Sequence, residues 1–202
     1  QFIEILQEYE EKFSWKKTLL FSICLLLTTM TKPSFTFVLV GVAGLIMLYR
    51  LFKSKFKNFW STFYLGLSFI PTFIALLYQF NRVFVVGDGK EAGIGFEWLK
   101  TWKVFSDNVP LAMLLAMAFP IIVFIFHWKE IKSNGLYRFS VQINLMGFIM
   151  FAFLFQKGSQ MGYANFAWGY MHGLFFIFVG AVIVLARSTF MRKQKWYMLG
   201  IQ

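Results

Sequence analysis

The chain has 202 residues, of which 58% are hydrophobic and 28 are Phe, and its mean hydropathy is +0.62. These values exclude an ordinary soluble domain, in which apolar residues make up about half of the chain or less. The net charge of +11 would favour nucleic-acid binding in a soluble protein, but here the basic residues lie in short runs beside apolar segments, as they do in the loops of membrane proteins. We therefore predict a polytopic membrane protein, with the lipid bilayer as its partner and no nucleic acid.

The hydropathy pattern predicts one all-α domain over residues 1–202, an integral membrane helical bundle of about six transmembrane helices with short interfacial helices. Residues 1–17 carry apolar side chains at intervals of three and four, which is typical of an amphipathic helix at the membrane surface. The six spans fall within residues 18–186, and residues 187–202 form a basic tail. The predicted spans are 18–31, 34–51, 59–80, 109–128, 139–155 and 166–186. Because the chain starts with Gln1 and not Met, we expect a fragment of a longer protein.

The first two apolar runs are joined by Lys32-Pro33-Ser34. Proline lacks the N–H that a continuous helix needs, and it biases the preceding residue away from the α region, so the helix is predicted to break at the Lys-Pro step. The first run would rise only about 21 Å as a helix. It is therefore either a short span or a re-entrant segment.

Two later spans contain proline, Pro71 in the third and Pro120 in the fourth. Each is expected to kink, because the proline frees a carbonyl that a neighbouring helix must satisfy. Between these spans, Trp98, Trp102 and Phe105 follow one another at helical spacing. Such a pattern is typical of an interfacial helix anchored by tryptophan.

The distribution of positive charge predicts the orientation. Fourteen of the 20 lysines and arginines lie before the first span, after the second and fourth, and after the sixth. Basic loops stay on the cytoplasmic side. Both termini of this segment are therefore predicted to be cytoplasmic in a bacterial cytoplasmic membrane, with Lys32-Pro33-Ser34 on the outer side.

Three residues are candidates for substrate binding. Lys32 and Arg82 lie at predicted outer ends of spans, where a cation near the low-dielectric boundary gains more from an anionic partner than it would in water; the alternative is a basic residue that snorkels at a helix end. His172 shares a helical face with Gly169 and Gly173, a small-xxx-small pair that lets a second helix approach closely. We expect His172 inside the bundle, either as a substrate contact or as a hydrogen-bonding packing residue.

No metal site, cofactor or catalytic residue is predicted from the motifs. Any general base or metal ligand on the predicted outer side would come from the carboxylates there, whose spacing is unspecific. They are Asp88, Glu91, Glu97 and Asp107. The chain also lacks the motifs of zinc metalloproteases, serine hydrolases and P-loop ATPases.

Two stretches carry a family resemblance: Thr31-Lys32-Pro33-Ser34-Phe35 and the run from Asn165 to Tyr170, which reads NFAWGY. They resemble the C-terminal part of bacterial polytopic membrane proteins that are similar to C-type membrane glycosyltransferases. The resemblance implies a role in cell-surface polysaccharide assembly, with a polyprenyl-phosphate-linked sugar as the substrate at the outer face. The catalytic acid of that family lies near its N-terminus, in a part that this sequence does not contain, so no catalytic residue is carried over.

Other functions remain open from the sequence, and whether the chain is an enzyme is undecided. A permease or substrate-binding membrane subunit would need polar residues at matching depth in several spans. The candidates are Ser68, Thr72, Gln142, Asn144 and His172. A membrane scaffold without a ligand is the third alternative, and the sequence predicts no oligomeric state.

Overall fold

The computed structural model describes residues 4–5, 8–9, 13–82 and 93–188. Most of these residues are helical, and the prediction of an all-α helical bundle is confirmed. The helices are α1 Trp15–Thr31, α2 Pro33–Lys53, α3 Phe59–Leu67, α4 Ile70–Phe80, α5 Lys100–Phe105, α6 Val109–Phe126, α7 Trp128–Ser133, α8 Gly135–Phe153 and α9 Ala167–Arg187. Two short strands, β1 Ile94–Phe96 and β2 Leu154–Gln156, and a 3-10 helix over Gly158–Tyr163 complete the secondary structure of the described residues.

Five helical segments of the described chain are long and apolar enough to cross a membrane. They are Pro33–Lys53, Phe59–Phe80, Val109–Phe126, Gly135–Phe153 and Met161–Arg187. The predicted first span corresponds to α1, which has 17 residues, rises about 25 Å and packs along α2 and α4. Of the roughly six predicted spans, five correspond to segments that are long and apolar enough to cross a membrane. The remaining predicted span corresponds to the shorter helix α1.

The α1–α2 hairpin breaks at the Lys-Pro step, as predicted. Helix α1 ends at Thr31, Lys32 is extended, and Pro33 begins α2. Inside the hairpin, the hydroxyls of Thr29 and Thr36 lie 2.9 Å apart, and Thr29 Oγ1 also donates to the Leu25 carbonyl at 2.7 Å. These buried hydroxyls join the two helices where no water is available to satisfy them.

The third predicted span is interrupted at Pro71. Helix α3 ends at Leu67 and α4 begins at Ile70, so that the proline occupies the first turn of a new helix, where its missing N–H costs nothing. The Ser68 carbonyl at the break accepts a hydrogen bond of 2.7 Å from Ser22 Oγ of α1. The sequence predicts a kink here, whereas the structure shows a break between two helices, and a hydroxyl of the neighbouring α1 satisfies one carbonyl of that break.

The other membrane proline, Pro120, lies inside α6, which continues from Val109 to Phe126. The Pro120 carbonyl accepts a hydrogen bond of 3.2 Å from the hydroxyl of the buried Tyr137 in α8. The proline therefore does not end this helix, and a side chain of the neighbouring helix contacts the backbone there.

Helices α8 and α9 form the most extensive contact of the bundle. A Cβ placed on Gly173 would lie 2.5 Å from the Asn144 Cα, and one on Gly147 would lie 2.7 Å from the Tyr170 Cα. Backbones can approach this closely only where side chains are absent. The close helix approach predicted at the Gly169/Gly173 pair is thus observed: Gly173 meets α8, and Gly169 of the same face meets Val38 of α2.

Predictions for the first helix and the interfacial helix are confirmed only in part. Tyr9 is buried on the predicted apolar side, whereas Glu8 pairs with Lys17 and, together with Glu4, raises the pKa of that lysine. Helix α5 covers only six residues. Trp102 is buried and packs against protein, so it is a core residue and not a membrane anchor; its ring neighbours are Phe148, Phe151 and Tyr170.

Some sequence predictions fall outside the described residues. These are eight of the 17 residues of the predicted surface helix, the carboxylates Asp88 and Glu91, and the basic tail beyond residue 188.

The glycine contact between α8 and α9 leads to a matched pair of substitutions. We expect Gly173→Ala to destabilise the folded protein by about 1–3 kcal/mol, because the added methyl collides with the α8 backbone. Gly44→Ala in α2 should be neutral or slightly stabilising, since nothing lies within 4 Å of its Cβ position. Thermal unfolding in detergent measures both, and equal tolerance at the two sites would contradict this packing.

Candidate functional site: two adjacent cavities at the Lys32 end

One end of the bundle brings together the loops that carry most of the candidate residues. We call it the Lys32 end; α1, α4 and α8 end there, and α2, α6 and α9 begin there. Strands β1 and β2 pair antiparallel at this end, with Ile94 opposite Gln156 and Phe96 opposite Leu154. The pairing holds the segment before α5 against the segment that joins α8 to α9.

A cavity of about 320 Å³ lies under this paired segment, and we call it the polar cavity. It is lined by Thr31, Lys32, Pro33, Ser34, Phe37, Leu76, Gln79, Phe80, Ile94, Gln156, Asn165 and Phe166. Among the described residues, the lining contains one cation and no carboxylate. Within the described residues, no group of three His, Cys, Asp or Glu side chains could hold a metal ion.

Lys32 supplies the positive charge of the polar cavity. Its backbone is extended, with φ −148° and ψ 85°, because it stands between two helices at the proline break. Its ammonium Nζ lies 3.8 Å from the centroid of the Trp168 ring. The only ion pairs seen in the described residues involve Lys17 and Lys100, so the charge of Lys32 meets an aromatic face there and no carboxylate.

Two long helices begin at the polar cavity. Pro33 and Ser34 are the first residues of α2, and Phe166 precedes α9; each helix has 21 residues, and neither start is capped by a side chain. The N-terminal end of a helix carries a partial positive charge and free N–H groups, which favour anions. These two helix ends add to the charge of Lys32.

Helices α1 and α4 end at the same cavity, and their partial negative charge opposes this effect. Two carbonyls at the end of α1 already accept hydrogen bonds within the protein. The Thr28 carbonyl accepts from the Lys32 N–H at 2.8 Å, and the Thr29 carbonyl accepts from Gln79 Nε2 at 3.2 Å. The buried Gln79 Oε1 has no hydrogen-bond partner among the described residues. With the full charge of Lys32, the described lining of the cavity has a positive balance.

The loop before α9 contributes to the wall of the polar cavity, and a pair of amide side chains holds this wall in place. Asn165 Nδ2 donates to Gln156 Oε1 at 2.7 Å, and Gln156 is only 6% exposed. A buried amide needs such a partner, because leaving it unpaired costs about 1–3 kcal/mol. The pair fixes Gln156, the last residue of β2, to Asn165, which lies two residues before the start of α9.

A second, larger cavity of about 520 Å³ lies beside α9, and we call it the apolar cavity. It is lined by Trp102, Phe105, Ser106, Val109, Ala112, Met113, Ala116, Phe151, Gly162, Tyr163, Ala164, Ala167, Trp168, Tyr170, Met171 and Leu174. Its walls come from α5, α6, the 3-10 helix and the first two turns of α9. Such a chamber suits a hydrocarbon group, with few polar atoms to satisfy.

Trp168 connects the two cavities. Its side chain lines the apolar cavity, while its ring receives the ammonium of Lys32 from the polar cavity. A cation over a Trp face is worth about 0.5–2 kcal/mol, depending on its exposure to water. The tryptophan therefore positions the charge at the boundary between a polar and an apolar chamber.

The three candidate residues do not all meet. His172 lies one turn below Trp168, where its Nδ1 is 2.5 Å from the Trp168 carbonyl and its ring packs 5.5 Å from that of Phe35, although neither cavity includes it in its lining. Arg82 follows α4 at the same end, with its guanidinium 5.5 Å from the Tyr78 ring centroid, and it lies outside the lining of the polar cavity. Of the three, only Lys32 belongs to the described lining of either of these two cavities.

Sequence reasoning missed the partners that complete the polar cavity, Gln79, Gln156 and Asn165. Gln156 is separated from Lys32 by more than a hundred residues, and it reaches the cavity only because β2 pairs with β1. A polar residue at the end of an apolar run was the only available signal. Trp168 and Asn165 belong to the stretch that carries the family resemblance, and the structure brings this stretch against Thr31–Phe35.

Comparison of this chain with protein families, curated proteins and solved structures found no match.

The amide pair in the wall of the polar cavity can be tested by a double-mutant cycle. We expect Asn165→Leu to destabilise the protein by about 1–3 kcal/mol, because Gln156 Oε1 then loses its donor while it stays buried. Adding Gln156→Leu should cost less than it does in the wild-type background. Thermal unfolding in detergent of the two single variants and the double variant measures the coupling, and simple additivity would show that the two amides act independently.

Proposed function

We propose that this protein binds an anionic amphiphile at the Lys32 end, with a charged headgroup in the polar cavity and a hydrocarbon chain in the apolar cavity. The observation that carries the proposal is the Lys32 ammonium lying 3.8 Å from the ring of Trp168, a residue that also lines the apolar cavity. The Lys32 ammonium and the apolar cavity meet at Trp168. They match the charged headgroup and the hydrocarbon chain of an amphiphile, respectively.

The charge of the polar cavity favours an anionic headgroup. Lys32 and two helix starts without a side-chain cap face it, and none of its described lining residues is a carboxylate. A hydrogen bond between charged groups contributes about 1.5–3 kcal/mol, which exceeds the value of the cation–π contact at an exposed site. A phosphate would therefore draw Lys32 from the tryptophan face without a net loss.

The two volumes fit one amphiphile better than two separate ligands. The polar cavity, with about 320 Å³, has amide groups in its wall that suit hydroxyl and phosphate oxygens. The apolar cavity offers hydrocarbon, aromatic and methionine side chains along α9. Binding there would remove the end of a chain from the lipid phase and hold it against protein.

Within this proposal, the amphiphile is a polyprenyl-phosphate-linked sugar and the protein is the C-terminal part of a glycosyltransferase-like enzyme of bacterial cell-surface polysaccharide assembly. The support is that both stretches with the family resemblance contribute to the same site, Lys32 from one and Asn165 from the other. Lys32, Asn165 and Gln156 would hold the headgroup. No residue of this chain is assigned the chemical step.

The permease alternative has less support from these cavities. The polar residues on which it depends, Ser68, Thr72, Gln142 and Asn144, line neither of them. Ser68 donates to the Leu65 carbonyl of its own helix, and Gln142 is exposed on the surface of the bundle.

The binding proposal predicts a specific loss on removal of one charge. We expect Lys32→Gln to weaken the binding of a short-chain polyprenyl phosphate to the purified protein by roughly tenfold or more, as the loss of a charged hydrogen bond implies. Binding of the corresponding uncharged polyprenol should change little. Titration in detergent with both lipids measures the two affinities.

Lys103→Gln is the matched control, because this lysine lies at the same end on the exposed side of α5 and lines neither cavity. An equal loss in both variants would indicate general electrostatic attraction and no site at Lys32. Transfer of sugar from a polyprenyl-phosphate donor, measured with the reconstituted full-length protein that includes the N-terminal part of the family, tests the enzymatic part separately. Normal phosphate binding without any transfer would leave a binding subunit and remove the transferase assignment.

The orientation is a second testable part of the proposal, since the Lys32 end should face the outside of the cell. In a background in which the single cysteine is replaced, Cys24→Ser, a Ser106→Cys variant should react with a membrane-impermeant maleimide in intact cells. A Ser133→Cys variant, at the opposite end, should react only after lysis. The reverse labelling pattern would invert the map and place the polar cavity on the cytoplasmic side.

A further inference from the structure

The loop between α2 and α3 lies at the end of the bundle opposite Lys32. Three lysines in this loop, Lys53, Lys55 and Lys57, are exposed. They alternate with large aromatic side chains that are also exposed. These are Phe52 at 65%, Phe56 at 52%, Phe59 at 44% and Trp60 at 64%. We call residues 52–60 the basic aromatic loop.

None of the three lysines has a carboxylate partner among the described residues, where the ion pairs involve only Lys17 and Lys100. Lys53 instead lies over the Tyr49 ring, with its Nζ 5.9 Å from the centroid. Further basic residues, Lys129, Lys132 and Arg138, belong to the helices at the same end. The charge of the loop is therefore not neutralised by the part of the protein that the structure describes.

The backbone of the loop is held in a conformation that side chains rarely adopt. Lys55 and Phe56 both have positive φ, 51° and 64°, a region that glycine occupies without steric cost. The Phe56 N–H closes the end of α2 by donating to the Leu51 carbonyl at 2.9 Å. Two consecutive residues with side chains in this region are strained, and the result is that an aromatic ring and a lysine project from the turn.

We propose that the basic aromatic loop is a binding site for anionic phospholipid headgroups of the leaflet that borders this end of the bundle. The aromatic rings lie at the adjoining ends of two segments that are long and apolar enough to cross a membrane, Pro33–Lys53 and Phe59–Phe80. Trp and other aromatic residues favour such positions at membrane interfaces. The lysines beside them provide the charge that complements a lipid phosphate. The proposal does not depend on the function of the Lys32 end.

A local measurement distinguishes this site from general attraction to the membrane. Asn58 precedes α3 and makes no side-chain capping bond to it, so Asn58→Cys in the Cys24→Ser background can carry a fluorophore without removing a helix cap. The labelled protein is placed in phosphatidylcholine nanodiscs that contain spin-labelled phosphatidylglycerol or spin-labelled phosphatidylcholine. The ratio of the quenching by the two lipids reports the local preference for the anionic headgroup.

We expect the wild-type loop to prefer phosphatidylglycerol. In the triple variant K53Q/K55Q/K57Q, the quenching ratio of phosphatidylglycerol to phosphatidylcholine should fall by at least about fivefold, because a single lysine near an anionic surface already contributes about this factor. Salt at about 1 M should lower the wild-type preference toward that of the variant, because the screening length falls to about 3 Å. The control K100Q/K103Q/K157Q removes three lysines from the other end and should leave the preference unchanged.

An equal loss in the two triple variants, or no preference in the wild type, would overturn the proposal. Phe56→Gly tests the aromatic part. This change relieves the positive φ and should raise the unfolding temperature in uncharged detergent, while quenching by both lipids decreases because the ring no longer holds the loop in the interface. Unchanged quenching by both lipids would show that the ring has no role in lipid contact.

Discussion

Close backbone contact between α8 and α9 is the interaction on which the rest of the bundle depends. In a bilayer the lipid is as apolar as the side chains, so helices associate where small residues let dispersion contacts form. Gly173 and Gly147 provide that approach. Helix α2 then packs against both partners, with Val38 at Gly169 and Gly41 at Met146, and the α1–α2 hairpin carries Lys32 to the start of α9.

The hydrocarbon region of a bilayer contains no water that could bond to backbone carbonyls, and this explains where the buried hydroxyls lie. At the break between α3 and α4, Ser22 of α1 donates to the Ser68 carbonyl, and at the proline inside α6, Tyr137 of α8 donates to the Pro120 carbonyl. An unsatisfied carbonyl in hydrocarbon costs several kcal/mol. These hydrogen bonds therefore determine which helices are neighbours, in addition to satisfying the groups that they join.

Local rules predicted much of the helical bundle and little of the site. The helix break at Lys32-Pro33, the break near Pro71 and the glycine packing of α9 follow from proline chemistry and from side-chain size, both of which act on neighbouring residues. The burial of Trp102 could not be predicted, because a tryptophan beside a span is equally suited to an interface. The polar cavity depends on strand pairing between residues about sixty positions apart, and no local pattern in either three-residue segment specifies its partner.

The β1–β2 pairing also has a mechanical consequence. It ties the segment that follows α4 to the segment that joins α8 and α9, and the hydrogen bonds from Glu97 to the Phe153 carbonyl and from Lys157 to the Gly93 carbonyl extend the tie on both sides. Ile94 and Gln156, which face each other in this ladder, both line the polar cavity. The two segments must therefore move as one unit, and any opening of the cavity at this side requires a hinge outside the ladder, in α5 or at the left-handed Ala164 before α9.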